Sequence, residues 1–245
     1  MAVNNNKTIV AIIQAHMSST RLPGKILMDM NGKPLLYRVI ERARQSKYLT
    51  DVVIATSTLP CDDQIEQVCG EWGVHVFRGS DDDVLERYWG AAQAYPAEVY
   101  VRLTSDNPLI DPRQIDDAIE FFLTHDYRYV HTDGQLPLGT GEEIFEAALM
   151  REAAENSTEH YEHEHVTPYM YWKQSSVGEV PSKRPAPQYR VTVDTPEDYQ
   201  VVSAVYRALC NENNDFSLDE VIDFLDAHPE IAAINSKIVQ KKATD

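Results

Sequence analysis

Short apolar runs alternate with longer amphipathic stretches along the first half of the chain. Residues 8–14 (TIVAIIQ) form an uninterrupted β-branched run, the pattern of a strand buried on both faces of a parallel sheet. Residues 51–56 (DVVIAT) and 99–104 (VYVRLT) repeat it, and 74–77 is a shorter version. Between these runs the spacing predicts helices over 35–46, over 62–72 with Gly73 as the stop, and over 82–94. Asp111 and Pro112 open a further helix to about 123, as cap and first residue. Such alternation predicts an α/β fold of three layers, a mostly parallel sheet between helices.

From residue 127 to residue 188 that rhythm breaks. LPLGTG at 136–141 reads as loop, 143–155 as helix, and the rest is rich in aromatics and histidines. Residues 190–194 (RVTVD) resume the strand pattern, and helices over 196–210 and 218–227 follow, the second capped by Ser217. The chain therefore reads as a single domain, 1–245, with 127–188 as an inserted arm and 237–245 as a free tail.

Charge narrows the class of partner. The 245 residues carry 22 Lys and Arg against 39 Asp and Glu, a formal net charge of −17. Nucleic-acid binders need basic surface for phosphate, so no nucleic-acid partner is expected. No apolar run approaches the roughly 20 residues of a membrane span, and residues 1–7 lack the apolar centre of a signal peptide. Cys61, Cys69 and Cys210 form no CxxC pair, which suits a reducing compartment. A cytoplasmic protein without membrane partners is the expectation.

Against this acidic background one loop stands out. QAHMSSTRLPGK, residues 14–25, follows the first strand and gathers Arg21, Lys25 and the hydroxyls of Ser18, Ser19 and Thr20 around Gly24. Its spacing is neither GxxxxGK[ST] nor GxGxxG. It does offer forked and point-charge donors at the strand edge where open parallel sheets bind ligands, which suits a triphosphate. A solvated surface loop is the competing reading.

Two acids end predicted strands on that same edge, Asp106 and Asp194. Phosphoryl transfers commonly hold Mg²⁺ on one or two carboxylates plus nucleotide phosphates, which makes this pair the candidate metal site. Either acid could instead cap a turn or helix, Asp194 before Thr195-Pro196-Glu197 in particular. Arg102 and Arg190 lie on strands near these acids and could pair with an anionic acceptor or with the carboxylates. The run from Glu159 to His165 is not HExxH and reads as a solvated face. Trp72 and Trp89 fall at helical core spacing.

The loop QAHMSSTRLPGK, the NGKPL element at 31–35, and the segments FRGSDDDVLERY, VRLTSDNPLIDP, EHVTPYMY and VTVDTPEDY together resemble the CTP-dependent sugar-acid cytidylyltransferases. Members activate 3-deoxy-manno-octulosonate, sialic and pseudaminic acids. The likeness spans nearly the whole chain and is strongest to the spore-coat polysaccharide branch. It implies a nucleotide-binding core with a dimerisation arm, hence a homodimer. It also implies Gln14, Ala15, His16, Ser18, Ser19, Thr20, Arg21, Lys25, Arg78, Ser80 and Asp106 at the nucleotide. Asp106 and Asp194 would hold Mg²⁺, while Arg102, Glu143, Glu164, His165 and Arg190 would stand near the acceptor. His16 departs from the family, which carries an arginine there against the triphosphate. The reaction implied is attack of an acceptor oxygen on the α-phosphorus of CTP, with Arg21 and Lys25 stabilising the departing pyrophosphate. Keto-sugar acid, sugar phosphate and phosphonate all remain open as acceptors. A nucleotide-sugar glycosyltransferase on a similar core and a non-catalytic nucleotide-binding protein are the alternatives.

Overall fold

A computed structural model describes residues 7–240; the readings made for residues 1–6 and 241–245 lie outside the described residues. The β-branched runs form β1 (Ile9–Gln14), β2 (Asp51–Ser57), β3 (His75–Gly79) and β4 (Val99–Thr104). All four are parallel, in the order β3-β2-β1-β4. Alternate side chains of β1 enter opposite faces. Ile9, Ala11 and Ile13 join a core with α1 (Leu35–Ala43), α2 (Asp63–Glu71) and α4 (Pro112–Thr124). Val10 and Ile12 join a second core with α3 (Val84–Ala94). This period-two division of a single strand between two helical layers produces the expected three-layer α/β architecture.

The second half of the chain extends the same sheet. β5 (Tyr129–Thr132), β6 (Glu143–Glu146) and β7 (Val177–Val180) complete the seven-stranded order β3-β2-β1-β4-β6-β5-β7. Of these strands β6 alone is antiparallel to its neighbours. Residues 143–146, expected as the first turn of a helix, are thus strand, and α5 (Ala147–Asn156) starts only afterwards. Ile144, Phe145, Leu149 and Met150 are apolar at a spacing that fits either element. Pairing with β4, Arg102 opposite Glu143, decides for the strand.

α5, α6 (His160–His165) and α7 (Pro168–Trp172) cover the β6 side, burying Leu149, Met150, Val166 and Met170 against the second core. α8 (Pro196–Leu209), α9 (Leu218–Ala227) and α10 (Pro229–Ala232) lie on the first core's side. Ser217 caps α9 as expected. Residues 190–194 do not form a sheet strand. Both sides of β4 are already paired, so the segment bonds loop backbone instead: Val191 N–H and Thr192 N–H to Leu138 O, Val193 N–H to Asp106 O at 2.8 Å. The stretch from residue 237, expected as a free tail, brings Gln240 Oε1 to Arg190 Nη1 at 2.5 Å. No helix among the described residues is long and apolar enough to cross a membrane.

Candidate active site

The loop after β1 turns at Gly24, whose φ of 69° is left-handed and costs glycine little. That turn opens a short 3-10 helix, Lys25–Leu27, and sends the Lys25 side chain beneath the loop, only 5% exposed. A buried ammonium needs all three donors satisfied. Lys25 Nζ donates to Asp106 Oδ2 at 2.9 Å, Asp194 Oδ1 at 2.9 Å and Val193 O at 2.8 Å. Chain segments far apart in sequence therefore converge on one cation, at the carboxyl ends of β1 and β4.

Each acid is held by further groups. Asp106 Oδ1 accepts from Thr104 Oγ1 at 2.7 Å. Asp194 also takes Arg21 Nη2 at 3.0 Å and Arg190 Nη2 at 2.9 Å. Burial alone would raise the Asp194 carboxyl, but Lys25, then Arg21 and Arg190, outweigh it and hold it below the usual carboxylate range. Neither acid is a helix cap. Asp111 caps α4, and Thr195 caps α8 in a reciprocal box with Asp198.

Asp198 was not singled out in the sequence, although it is the linchpin behind Asp194. Fully buried, it takes Arg190 Nε at 2.8 Å and Nη2 at 3.1 Å, and the backbone N–H groups of Asp194 and Thr195 at 3.0 and 3.1 Å. The visible signal was the spacing Thr195-x-x-Asp198. Asp62 is a second such residue. Its Oδ1 accepts Met17 N–H at 2.7 Å and its Oδ2 accepts Ser57 Oγ at 2.5 Å, tying the loop to the end of β2. Nothing in its sequence context marked it.

Within the loop, Ala15 is buried and bonds Ala55 O at 3.1 Å. Ser18 and Thr20 are exposed, and Ser19 Oγ accepts Leu22 N–H at 3.4 Å. His16 Nδ1 lies 2.9 Å from Ser18 Oγ. Burial, and then the Lys25 charge, lower the His16 pKa, so the ring is neutral at pH 7. Arg87 of α3 is buried, donates Nη1 to Ser80 O at 2.9 Å and leaves Nε without a partner. It stands within the FRGSDDDVLERY segment, of which the resemblance implies only Arg78 and Ser80 at the nucleotide. Arg78 itself grips the turn after β2, through Ser57 O, Leu59 O, Glu66 and Asp63. Ser80 Oγ accepts Asp83 N–H at 3.0 Å, before α3. Both are bound up with local structure, apart from the Lys25 cluster.

A second group lies beside the first on β4 and β6. Gln14 Oε1 accepts Arg102 Nη2 at 3.1 Å, and Arg102 Nη1 pairs with Glu143. Glu143 Oε1 also accepts Tyr129 Oη at 2.5 Å and Thr167 Oγ1 at 2.6 Å. Burial opposes the Glu143 charge, but Arg102 and these hydroxyls keep its pKa below the ordinary value. Thr167 is aimed by a strained turn: Val166 has φ 70° and ψ −54°, closed by Thr167 N–H to His165 O at 2.8 Å. Thr167 is therefore the member of EHVTPYMY that reaches this group. Glu164 is exposed and pairs with His160 at 3.7 Å, and His165 contributes its carbonyl.

No group of three or more His, Cys, Asp or Glu side chains is placed to share a metal among the described residues. Asp106 and Asp194 alone form the candidate pair. One buried ammonium within 2.9 Å of both shows that they jointly stabilise a cation at that point. Two carboxylates are a fitting protein share for Mg²⁺, whose other positions go to water and substrate phosphate.

The chain is similar to known proteins over most of its length. The chain is 38% identical over 237 residues to the spore coat polysaccharide biosynthesis protein SpsF of Bacillus subtilis, covering 91% of this chain and 96% of that one. It is 40% identical over 113 residues to 3-deoxy-manno-octulosonate cytidylyltransferase of Geobacter sulfurreducens, covering 45% of this chain and 44% of that one. A solved cytidylyltransferase from Leptospira borgpetersenii superposes with a TM-score of 0.85 at 30% identity, over 96% of this chain and 98% of the other. The sequence profile of the cytidylyltransferase family matches residues 10–227, and the chain belongs to that family.

Proposed function

We propose that the protein transfers CMP from CTP to a sugar-like acceptor, releasing pyrophosphate, as a step toward a surface polysaccharide or glycoconjugate. The observation that carries this is the Lys25–Asp106–Asp194 cluster beneath a loop bearing Arg21. It puts cationic donors and two acids, the candidate metal pair, at one point of the sheet edge. An acceptor oxygen forms a bond to the α-phosphorus while the bond from that phosphorus to the bridging oxygen breaks, and the electron pair leaves on pyrophosphate.

Asp106 and Asp194 would hold Mg²⁺, which when bound neutralises phosphate charge and polarises the phosphorus. Arg21, 38% exposed at its side chain, would exchange its bond to Asp194 for the β- and γ-phosphates. All three Lys25 donors are taken, so Lys25 serves the phosphates by leaving at least one present partner. Arg190 and Asp198 keep Asp194 oriented throughout. Catalysis on this reading is positioning and electrostatic stabilisation.

Residues 127–188 supply the acceptor side and a twofold dimer contact. Half-exposed Trp172, edge-on to Tyr161 and Tyr171 at 5.3 and 4.8 Å, supports the latter. Cytoplasmic location follows from the nucleotide substrate. Calorimetry with CTP, UTP, ATP and GTP in Mg²⁺ tests the assignment, together with pyrophosphate release across an acceptor panel that includes 3-deoxy-manno-octulosonate. CTP should bind best, and equal or tighter ATP binding would sink the cytidylyl reading.

A further inference from the structure

Past α10 the chain returns to Arg190. Ile238 N–H to Asn235 O at 3.0 Å closes a turn there, and Asn235 is 2% exposed. Its Nδ2 donates to Arg190 O and to Asp198 Oδ1, each at 2.9 Å, across 45 and 37 residues of sequence. Both partners only accept, so the amide nitrogen has to be the atom that faces them. Gln240 Oε1, a little further on, takes Arg190 Nη1 at 2.5 Å.

These contacts complete the set around Arg190 and Asp198. Asp198 Oδ1 accepts from Arg190 Nε and Asn235 Nδ2, and Oδ2 from Arg190 Nη2 and the N–H groups of Asp194 and Thr195. Arg190 in turn gives Nη2 to Asp194 Oδ2 at 2.9 Å, leaving Asp194 Oδ1 turned to Lys25 and Arg21. Which oxygen of Asp194 faces the cation point is therefore set by the Arg190 fork, and the fork is set by Asp198. Neutral amides suit the task of holding that pair. A cation at 235 would compete with Arg190 for Asp198, and an acid at 240 would compete with Asp194 for Arg190.

We propose that the C-terminal segment is part of the active site, with Asn235 a positioning residue that keeps Asp194 aimed at the divalent cation. The inference rests on the nucleotidyl-transfer reading, with Asp194 as one of its two metal acids. Asn235 bonds Asp198 and Arg190 rather than the Asp194 carboxylate, so it acts through them. Ligating carboxylates depend on such outer partners, and losing a direct one typically costs about 10–100-fold in metal affinity. Arg190 is the direct partner of Asp194 here, and Asn235 stands one contact further out. Its loss is accordingly smaller, at least about threefold.

Calorimetry of CTP binding with Mg²⁺ and again in EDTA tests this, the readout being the factor by which Mg²⁺ tightens binding. In Asn235→Ala that factor should fall at least about threefold from the parent's, while affinity in EDTA stays the same. Asn235→Ser keeps a hydroxyl donor and leaves a smaller gap, so its fall should be smaller. Should Asn235→Ala not fold by its melting curve, Asn235→Ser decides by the same factor. Ser217→Ala removes the α9 cap and should lower the melting temperature with no change in the factor. A parental factor in the deciding variant, a matching loss of affinity in EDTA, an equal fall in Ser217→Ala, or failure of both Asn235 variants to fold would each overturn the proposal. A parent that binds CTP no better with Mg²⁺ than in EDTA would sink the metal-dependent reading, and this proposal with it.

Discussion

The ammonium of Lys25 donates to Asp106 Oδ2 at 2.9 Å, across 81 residues of sequence. Asp106 stands just beyond the end of β4 and Lys25 begins the 3-10 turn after β1, so the contact closes the loop after β1 onto the neighbouring strand. Counting Arg21 and Arg190 with Lys25, and Asp194 and Asp198 with Asp106, the cluster holds three cations and three anions. Removing one member leaves buried charge uncompensated, and that governs the first test.

Asp106→Asn and Asp194→Asn should each lower turnover by about a hundredfold or more, because each removes one charge from the proposed metal pair. Steady-state pyrophosphate release measures this, with circular dichroism to confirm the fold. A near-normal rate in either variant would remove that acid from the chemistry. Lys25→Met should also cost about 3–5 kcal/mol of stability in the free protein, since it leaves two acids facing each other. Added Mg²⁺ should raise the melting temperature of that variant more than that of the parent.

His16 gives a pH-dependent test. A protonated imidazole bonds phosphate more strongly than a neutral one, about 1.5–3 against 0.5–1.5 kcal/mol. CTP affinity should then weaken by up to roughly tenfold as pH rises through the His16 pKa. Burial and Lys25 place that pKa below its ordinary value in the free protein, so the gain belongs to the acidic side. His16→Arg should tighten binding and flatten the slope, and His16→Ala should weaken binding at pH 5.5 but little at pH 8. The same slope in all three proteins would show that His16 does not meet the phosphates.

Glu142 carries a stability signature of its own. Its folded pKa lies above the unfolded value, so the folded state binds the proton more tightly. That contribution is complete below the unfolded glutamate pKa and is lost as pH rises through the folded one. Glu142→Gln cannot ionise. Its melting temperature should therefore gain on the parent's between pH 5 and pH 8, and a constant difference across that range would show that Glu142 is already ionised when folded.

The dimer is tested by light scattering at micromolar concentration, where the parent should run at twice the chain mass. Trp172→Asp places a charge at the exposed aromatic edge and should shift the population toward monomer. A monomeric parent would remove the proposed role of 127–188 in assembly.

Pattern alone was enough for the elements whose signals are local. β1, β2 and β4 are β-branched runs too apolar to be anything but buried strands, and Asp111-Pro112 and Ser217 state where α4 and α9 begin. The loop with Arg21 and Lys25 and the two strand-end acids were legible for the same reason: charge concentrated beside apolar runs is visible without coordinates. Four-residue strands are not. β5, β6 and β7 are too short to establish a period, and the apolar spacing of Ile144, Phe145, Leu149 and Met150 serves strand and helix equally until β4 offers its edge.

Non-local pairing is what assigned the remaining roles. Residues 190–194 have a strand's composition, but both sides of β4, beside which they run, are already paired, so they form the extended rail that carries Asp194 to Lys25. Asp198, Asp62 and Thr167 are ordinary polar residues in the sequence, and only burial against groups elsewhere in the chain gives each a fixed partner. Glu142 and Glu143 are neighbours of one residue type. Arg102 lies within reach of one and not the other, so one is a paired carboxylate and the other a buried acid whose pKa is held above the ordinary value. Hydrophobic periodicity is a property of adjacent residues and survives in the linear chain; the charge state of a buried side chain depends on its surroundings, which exist only after folding.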